Sequence, residues 1–232
     1  MAEIRDGNFG DIKSFLSFAF SMTEFEISER IKQTAHDLVM QYGIRSVSMD
    51  EIATTLGISK KTIYQHFADK DELVEAVIQD VVRFNQQCCS KDREQSKDAI
   101  HEIFLAMEMM QEMFQDMNPA IIFELEKFHP KAFKIFLDHK YNFLSNVLLE
   151  NIHRGRQEGL VRDDFDEEVI VKLRIETILL PFNIKLFPKN KYQLVELGNQ
   201  FTEHYLYGIA SAKGCKLIVK YKQDSSKRKN KQ

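Results

Sequence analysis

From Ile27 the apolar residues Ile27, Ile31, Ala35, Leu38, Val39 and Tyr42 recur at helical spacing, with Glu29, Arg30, Lys32, Gln33 and Asp37 between them. Gly43 supplies a C-terminal stop. Ser48-Met49-Asp50-Glu51 has the form of a capping box, in which the serine hydroxyl accepts from the Glu51 amide and the glutamate reaches back. The pattern predicts a brief helix to Leu56, a stop at Gly57, and a second short helix from the cap Ser59 to His66. Another helix opens near Asp69 and runs to about Ser90. Five more follow, over roughly 96–116, 119–128, 130–155, 166–187 and 190–212. Pro119 and Pro130 mark breaks, Gly155 and Gly159 flank a turn, and Pro181 is expected to kink its helix. The polar, basic residues 214–232 are expected to be disordered.

Composition agrees with this reading. Nine glycines and four prolines in 232 residues are too few turn formers for a sandwich or barrel, so the fold class is all-α. Eighteen phenylalanines and nine methionines can fill a sizeable core. The net charge of −3 hides a split, because from Lys213 onward eight Lys and Arg residues stand against the single acid Asp224. Any affinity for an anionic polymer must therefore come from a local patch. Cys88, Cys89 and Cys215 make no paired framework and fit reduced structural thiols, with redox sensing as the second reading. No apolar run has the length of a membrane span. The apolar stretch 12–20 has no cleavage site after it and does not join the helical pattern downstream. Residues 1–23 are therefore expected to be a disordered or non-native extension, with Met22 as the natural start.

The segment 48–67 carries the candidate chemistry. Ala53 is small enough for two short helices to cross closely, and Gly57 supplies the positive φ of the turn between them. Ile52, Leu56, Ile58 and Ile63 fill the junction, which leaves Lys60, Lys61, Thr62, Gln65 and His66 outside, all able to donate hydrogen bonds. A surface helix of this kind fits the major groove of double-stranded DNA. A plain αα-hairpin with a solvated, mildly basic face is the alternative.

The run Gly57-Ile58-Ser59-Lys60-Lys61-Thr62-Ile63-Tyr64-Gln65-His66-Phe67-Ala68-Asp69-Lys70-Asp71-Glu72-Leu73 resembles the hallmark of the TetR/AcrR family of regulators. Ser46 to Ala53 is similar to the family's lead-in to its second helix, and Gly155 to Arg162 to a pattern that closes a long helix. The resemblance implies an N-terminal three-helix helix-turn-helix DNA-binding domain (24–70) and a larger C-terminal helical domain for ligand binding and dimerisation (71–213). It implies Ser48, Tyr64 and Lys70 as phosphate ligands, His66 at the backbone, and Lys60, Lys61, Thr62 and Gln65 as base readers, with Ser59 at the same surface. Phe67 and Leu73 are expected to be core.

In the larger part, Met107, Met110, Phe104, Phe114 and other apolar side chains suit a bundle core. The resemblance adds a pocket for a small apolar effector of unknown identity. It also implies a homodimer through the last two helices, 166–187 and 190–212, hence an inverted-repeat operator. The basic tail is either a solubilising end or a source of nonspecific DNA affinity. His101, His129, His139 and His153 lack metal-ligand spacing. No nucleophile–base constellation or phosphate-cradling loop is present, so neither enzyme nor cofactor is expected. The resulting expectation is a cytoplasmic, ligand-responsive repressor; the alternative is an α-helical small-molecule binder with no transcriptional role.

Overall fold

The computed structural model describes residues 9–229, and their side chains from 24 to 225. Eleven α-helices are named among these residues: α1 (Phe9–Tyr42), α2 (Met49–Leu56), α3 (Lys60–His66), α4 (Lys70–Gln95), α5 (Ala99–Phe114), α6 (Ile121–Phe128), α7 (Pro130–Asp138), α8 (Ser145–Gln157), α9 (Glu167–Ile178), α10 (Leu194–Ile209) and α11 (Ala212–Lys229). The described residues form no sheet, only an isolated antiparallel bridge between Val161 and Ala210.

Helix starts follow the short polar side chains. Ser48, Ser59, Asp69, Asp98 and Asp166 each accept a hydrogen bond from the amide three residues on, which satisfies a donor the helix leaves free. Only the serine half of the expected box at Ser48 is made. Its two-sided version occurs at Asp69, where Glu72 donates its amide to Asp69 and its carboxylate accepts from the Ala68 amide.

Four expectations are corrected. The first helix begins at Phe9 and not near Ile27, so the stretch before residue 24 is backbone-continuous with the helical pattern; residues 1–8 of the expected extension lie outside the described residues. The expected disordered tail is helix α11 as far as Lys229. Ile218 and Tyr221 lie one turn apart on its inner face and are buried, while Lys213, Lys216, Lys220 and Lys222 are exposed. The Tyr221 hydroxyl donates to Asp98 Oδ2 at 2.6 Å, tying α11 to the start of α5. The third correction concerns Pro181, which ends its helix: α9 stops at Ile178, a 3-10 turn covers Leu180–Phe182, and irregular chain leads to α10. The stretch expected as one helix over 130–155 is α7 and α8 joined by a π-helical turn, His139–Leu144.

Buried side chains form two clusters. One joins Ile31, Ile52, Ile63 and Leu73 of the N-terminal helices to Phe114, Ile121, Leu125 and Phe182 of the larger part. The other, with Ile100, Ile152, Ile175, Leu206, Ile209 and Ile218, fills the far end of the bundle. The N-terminal head therefore shares its apolar core with the domain that follows, and its seating depends on that domain.

Candidate nucleic-acid interface

Helices α2 and α3 cross over Ala53, which is buried with Ile52 and Ile63 beneath the turn. Gly57 takes φ 69° and the Ile58 amide donates back to the Ala53 carbonyl at 3.0 Å, closing α2 with a left-handed cap. Phe67 and Leu73 are buried and hold α3 against α4, as their apolar character required. Together these contacts fix α3 as a short rod with one face inward, at Ile63, and the rest outward.

On that outer face Lys60, Lys61, Tyr64 and Gln65 are exposed, while Thr62 and His66 are half-buried. Lys61 and Gln65 have no hydrogen-bond or ion-pair partner among the described residues, so their donors are free for an incoming ligand. Lys60 is differently placed. Its Nζ lies 2.6 Å from Asp50 Oδ2 on α2, and that hydrogen bond raises the lysine pKa above its ordinary value. The Ser59 and Thr62 hydroxyls are 2.8 Å apart, and Ser59 Oγ also accepts from the Thr62 amide. Both are thus partly committed to capping α3. Ser48 Oγ accepts from Glu51 N at 3.1 Å, which leaves its own hydrogen free to donate toward a phosphate.

Lys70 is half-buried behind this face. Its Nζ donates to the carbonyls of Ile44 and Val47, each at 2.5 Å. Desolvation pulls its pKa below the ordinary lysine value, with Glu124, Asp71 and Glu51 working the other way. Two of its three donors are therefore spent clamping the link between α1 and α2, the segment that presents Ser48. The residue implied as a phosphate ligand is in this structure foremost a loop clamp.

Sequence reasoning missed the contacts that seat the head on the larger domain. The Asn118 amide donates to the Met40 carbonyl at 2.7 Å, at the end of α1. Glu124 on α6 accepts from the Arg45 amide at 3.0 Å, and the Arg45 guanidinium stacks over Phe128 at 4.8 Å. His129 Nδ1 lies 2.6 Å from Asp71 Oδ1, within ion-pair reach at an angle that makes no hydrogen bond. Partners up to 79 residues apart leave no local signal in the chain.

Among the described residues no group of three metal-ligating side chains comes together, and no helix is long and apolar enough to cross a membrane. The three cysteines are unpaired. Burial pushes the Cys89 thiol up to about 12, which leaves it protonated and a poor nucleophile.

Residues 31–77 match the family described as bacterial regulatory proteins, tetR family. The chain is 22% identical over 187 residues to the uncharacterized HTH-type transcriptional regulator YvaF of Bacillus subtilis, covering 80% of this chain and 96% of that one. Its fold is similar to that of a TetR-family transcriptional regulator from Agrobacterium tumefaciens, with TM-score 0.68 and 15% identity over 81% of this chain and all of the other. It is also similar to the transcriptional regulator FadR from Bacillus subtilis in complex with stearoyl-CoA, with TM-score 0.61 and 18% identity over 78% and 98% of the two chains. Residues 31–77, the seated helix-turn-helix, thus match the tetR-family regulatory domain, and along most of its length the chain is similar to an HTH-type transcriptional regulator and shares the fold of TetR-family regulators.

Proposed function

We propose that this protein is a ligand-controlled repressor that binds an inverted-repeat operator as a homodimer and is released by a small apolar effector. The observation that carries the reading is the outer face of α3, where Lys61 and Gln65 present free donors on a helix locked by a buried junction. Lysine and glutamine are suited to guanine and adenine edges in the major groove, and Ser48 and Tyr64 to the flanking phosphates. Lys60 approaches DNA already paired with Asp50, so it exchanges that carboxylate for a phosphate or a base.

Two recognition helices one DNA turn apart require a two-fold dimer. On α9 the apolar Val169 and Leu173 stand one turn apart and are each 59% exposed, while Val171 and Ile175 face the core. Tyr207 on α10 is also exposed. A helix that is apolar on two faces supports pairing with a copy of itself. The stearoyl-CoA held by the similar FadR supports an effector with substantial apolar surface. The route for release runs through α4, which begins at the head and continues into the larger domain, and through the Asn118, Glu124 and His129 contacts.

Selection from a random pool of duplex DNA tests the reading. Enrichment of an inverted repeat with half-sites about one helical turn apart, lost on replacing Gln65 and Lys61 together, is the expected result. A pool without enriched sequence after repeated rounds would falsify operator recognition.

A further inference from the structure

Between Glu176 and Glu196 the chain carries no acid, and the middle of that stretch holds Lys185, Lys189 and Lys191. The segment 183–193, which leads into α10, is irregular yet built. Asn183 Oδ1 accepts from the amides of Lys185 and Leu186, each at 3.2 Å, and the Asn183 carbonyl accepts from those of Leu186 and Phe187. A second turn closes where the Pro188 carbonyl accepts from the Lys191 and Tyr192 amides at 2.9 and 3.0 Å. The Phe187 ring meets Tyr192 and Phe201 edge-on at 5.3 and 5.6 Å, which pins the loop to α10. The backbone is thus held while the three lysines stand exposed, and none of them pairs with a carboxylate among the described residues. An acid-free cluster of exposed lysines sets up a local positive field whatever the net charge of −3.

The loop sits at the head end of the larger domain. Just past α9, Phe182 meets Phe114 edge to face at 5.2 Å, where α5 closes. Leu179, Leu194 and Val195, on either side of the loop, pack against the cluster that also holds Ile52 and Ile63 of the head. The opposite ends of α9 and α10 lie toward the Val161–Ala210 bridge, in the other cluster. The loop therefore projects from the side of the larger domain that carries the head. It joins the two helices that bear the exposed apolar residues Val169, Leu173 and Tyr207.

We propose that the α9–α10 loop is a second DNA contact, in which Lys185, Lys189 and Lys191 of both protomers meet the phosphates that flank the minor groove at the centre of the operator. This placement rests on the homodimeric, operator-binding reading. Pairing through α9 brings the two loops together near the two-fold axis, between the heads. With one α3 in each of two successive major grooves, the minor groove between them faces that axis. Lysine suits the role, being a compact charge on a flexible stem that needs no aligned acceptor. Charge placed there adds affinity and salt dependence without reading bases. A narrow minor groove concentrates negative potential, so A·T-rich spacers are favoured at positions that α3 never touches. An anionic bilayer is the competing partner, because Ile184 and Leu186 stand exposed among the lysines. The position of the loop on the same side as the head favours DNA.

The test titrates the full chain by fluorescence anisotropy against a labelled duplex carrying the inverted repeat recovered by selection, at salt concentrations between about 50 and 200 mM. Lys185→Gln, Lys189→Gln and Lys191→Gln together should flatten the slope of log K against log salt by about 2 to 5 per dimer, at about 0.9 for each lysine in contact. Helicity and Tm should stay unchanged, and arginine at the same three positions should restore the slope. Methylphosphonates at the central phosphates of the duplex give a second readout. They should weaken the unaltered protein roughly 10-fold or more and the glutamine variant hardly at all. An unchanged slope, or a methylphosphonate effect of equal size in both proteins, would overturn the proposal. So would a glutamine variant that keeps the slope but no longer binds vesicles of phosphatidylserine and phosphatidylcholine in equal parts, a result that assigns the loop to a bilayer. A selection that enriches no repeat sinks operator recognition alone. A mixed-sequence duplex then takes the operator's place in the slope comparison, and the same outcomes decide the loop.

Discussion

Replacing Lys70 with methionine separates two jobs that one side chain has been given. Methionine keeps most of the aliphatic stem and removes the ammonium that donates to the Ile44 and Val47 carbonyls. Both of those residues are buried, at 0% and 1% exposure, so their carbonyls have little alternative beyond what water reaches beside the half-exposed lysine. A hydrogen bond from a charged donor contributes about 1.5–3 kcal/mol. Partial hydration of the freed carbonyls, and relief of the desolvation that depresses the Lys70 pKa, bring the expected net loss to about 1–3 kcal/mol for the pair. For a chain of this size that corresponds to a fall in Tm of about 2–4 °C per kcal/mol. Thermal and urea denaturation read the loss directly, and operator titrations between about 50 and 200 mM salt read the rest. A clamp predicts weaker binding on every sequence together with lowered stability. A pure phosphate ligand predicts unchanged stability and a salt slope flatter by about 2 per dimer, roughly 0.9 for each lysine removed. Unchanged Tm with the flattened slope would refute the clamp.

Asp50→Asn removes the carboxylate that holds Lys60; tighter binding to all duplexes and a steeper salt dependence are expected in gel-shift titrations, and weaker binding would show that the pair instead aims Lys60. Leu173→Glu places a charge on the exposed apolar stripe of α9; sedimentation should show a monomer with unchanged helicity, and a persistent dimer would move the interface elsewhere. His139 is 7% exposed, its Nε2 lies 2.9 Å from Asn85 Oδ1, and burial lowers its pKa below the usual 6.5. The folded state thus keeps this imidazole neutral while the unfolded chain takes the proton, so its contribution is present above about pH 6.5 and is lost as the pH falls from there through the folded-state value. Between pH 6.5 and 5.5 the unaltered protein should lose up to about 1.4 kcal/mol relative to His139→Gln, read from urea denaturation at each pH, and parallel losses would remove His139 as the cause.

The helix-turn-helix was legible because its causes are local. A small residue at Ala53, positive φ at Gly57 and caps at Ser48 and Ser59 act within a few residues of one another, so spacing alone carries them. The clamp made by Lys70 was not legible for the complementary reason: its partners lie 23 and 26 residues upstream, and nothing around it in the chain shows that two of its donors are already used. The tail was misread because eight cationic residues outweighed the short apolar run at Leu217, Ile218, Val219 and Tyr221, although Ile218 and Tyr221 sit at the spacing that a helix needs to bury one edge. Arg174 was invisible for the opposite reason. On an apolar stretch a single arginine reads as a surface residue, and only packing of α9 against α10 places it beside Thr202 and out of water.

The shared core decides how a signal could cross this molecule. Were the head a separate domain on a flexible joint, a change in the larger domain would reach it only through the direction of α4. Instead Ile31, Ile52 and Ile63 belong to the same buried cluster as Phe114 and Phe182, and the two rings meet edge to face at 5.2 Å. Phe114 therefore ties the end of α5 to the apolar layer that continues beneath the head. Closely packed cores respond to an added side chain or ligand by shifting whole elements, since no free volume absorbs it. A ligand that moves Phe114 must displace the chain to Asn118, whose bond to Met40 and neighbouring Glu124–Arg45 contact fix where α1 ends. Under the proposed ligand control, these few contacts would set the seat of α3, which would place the lever at α6 as much as along α4.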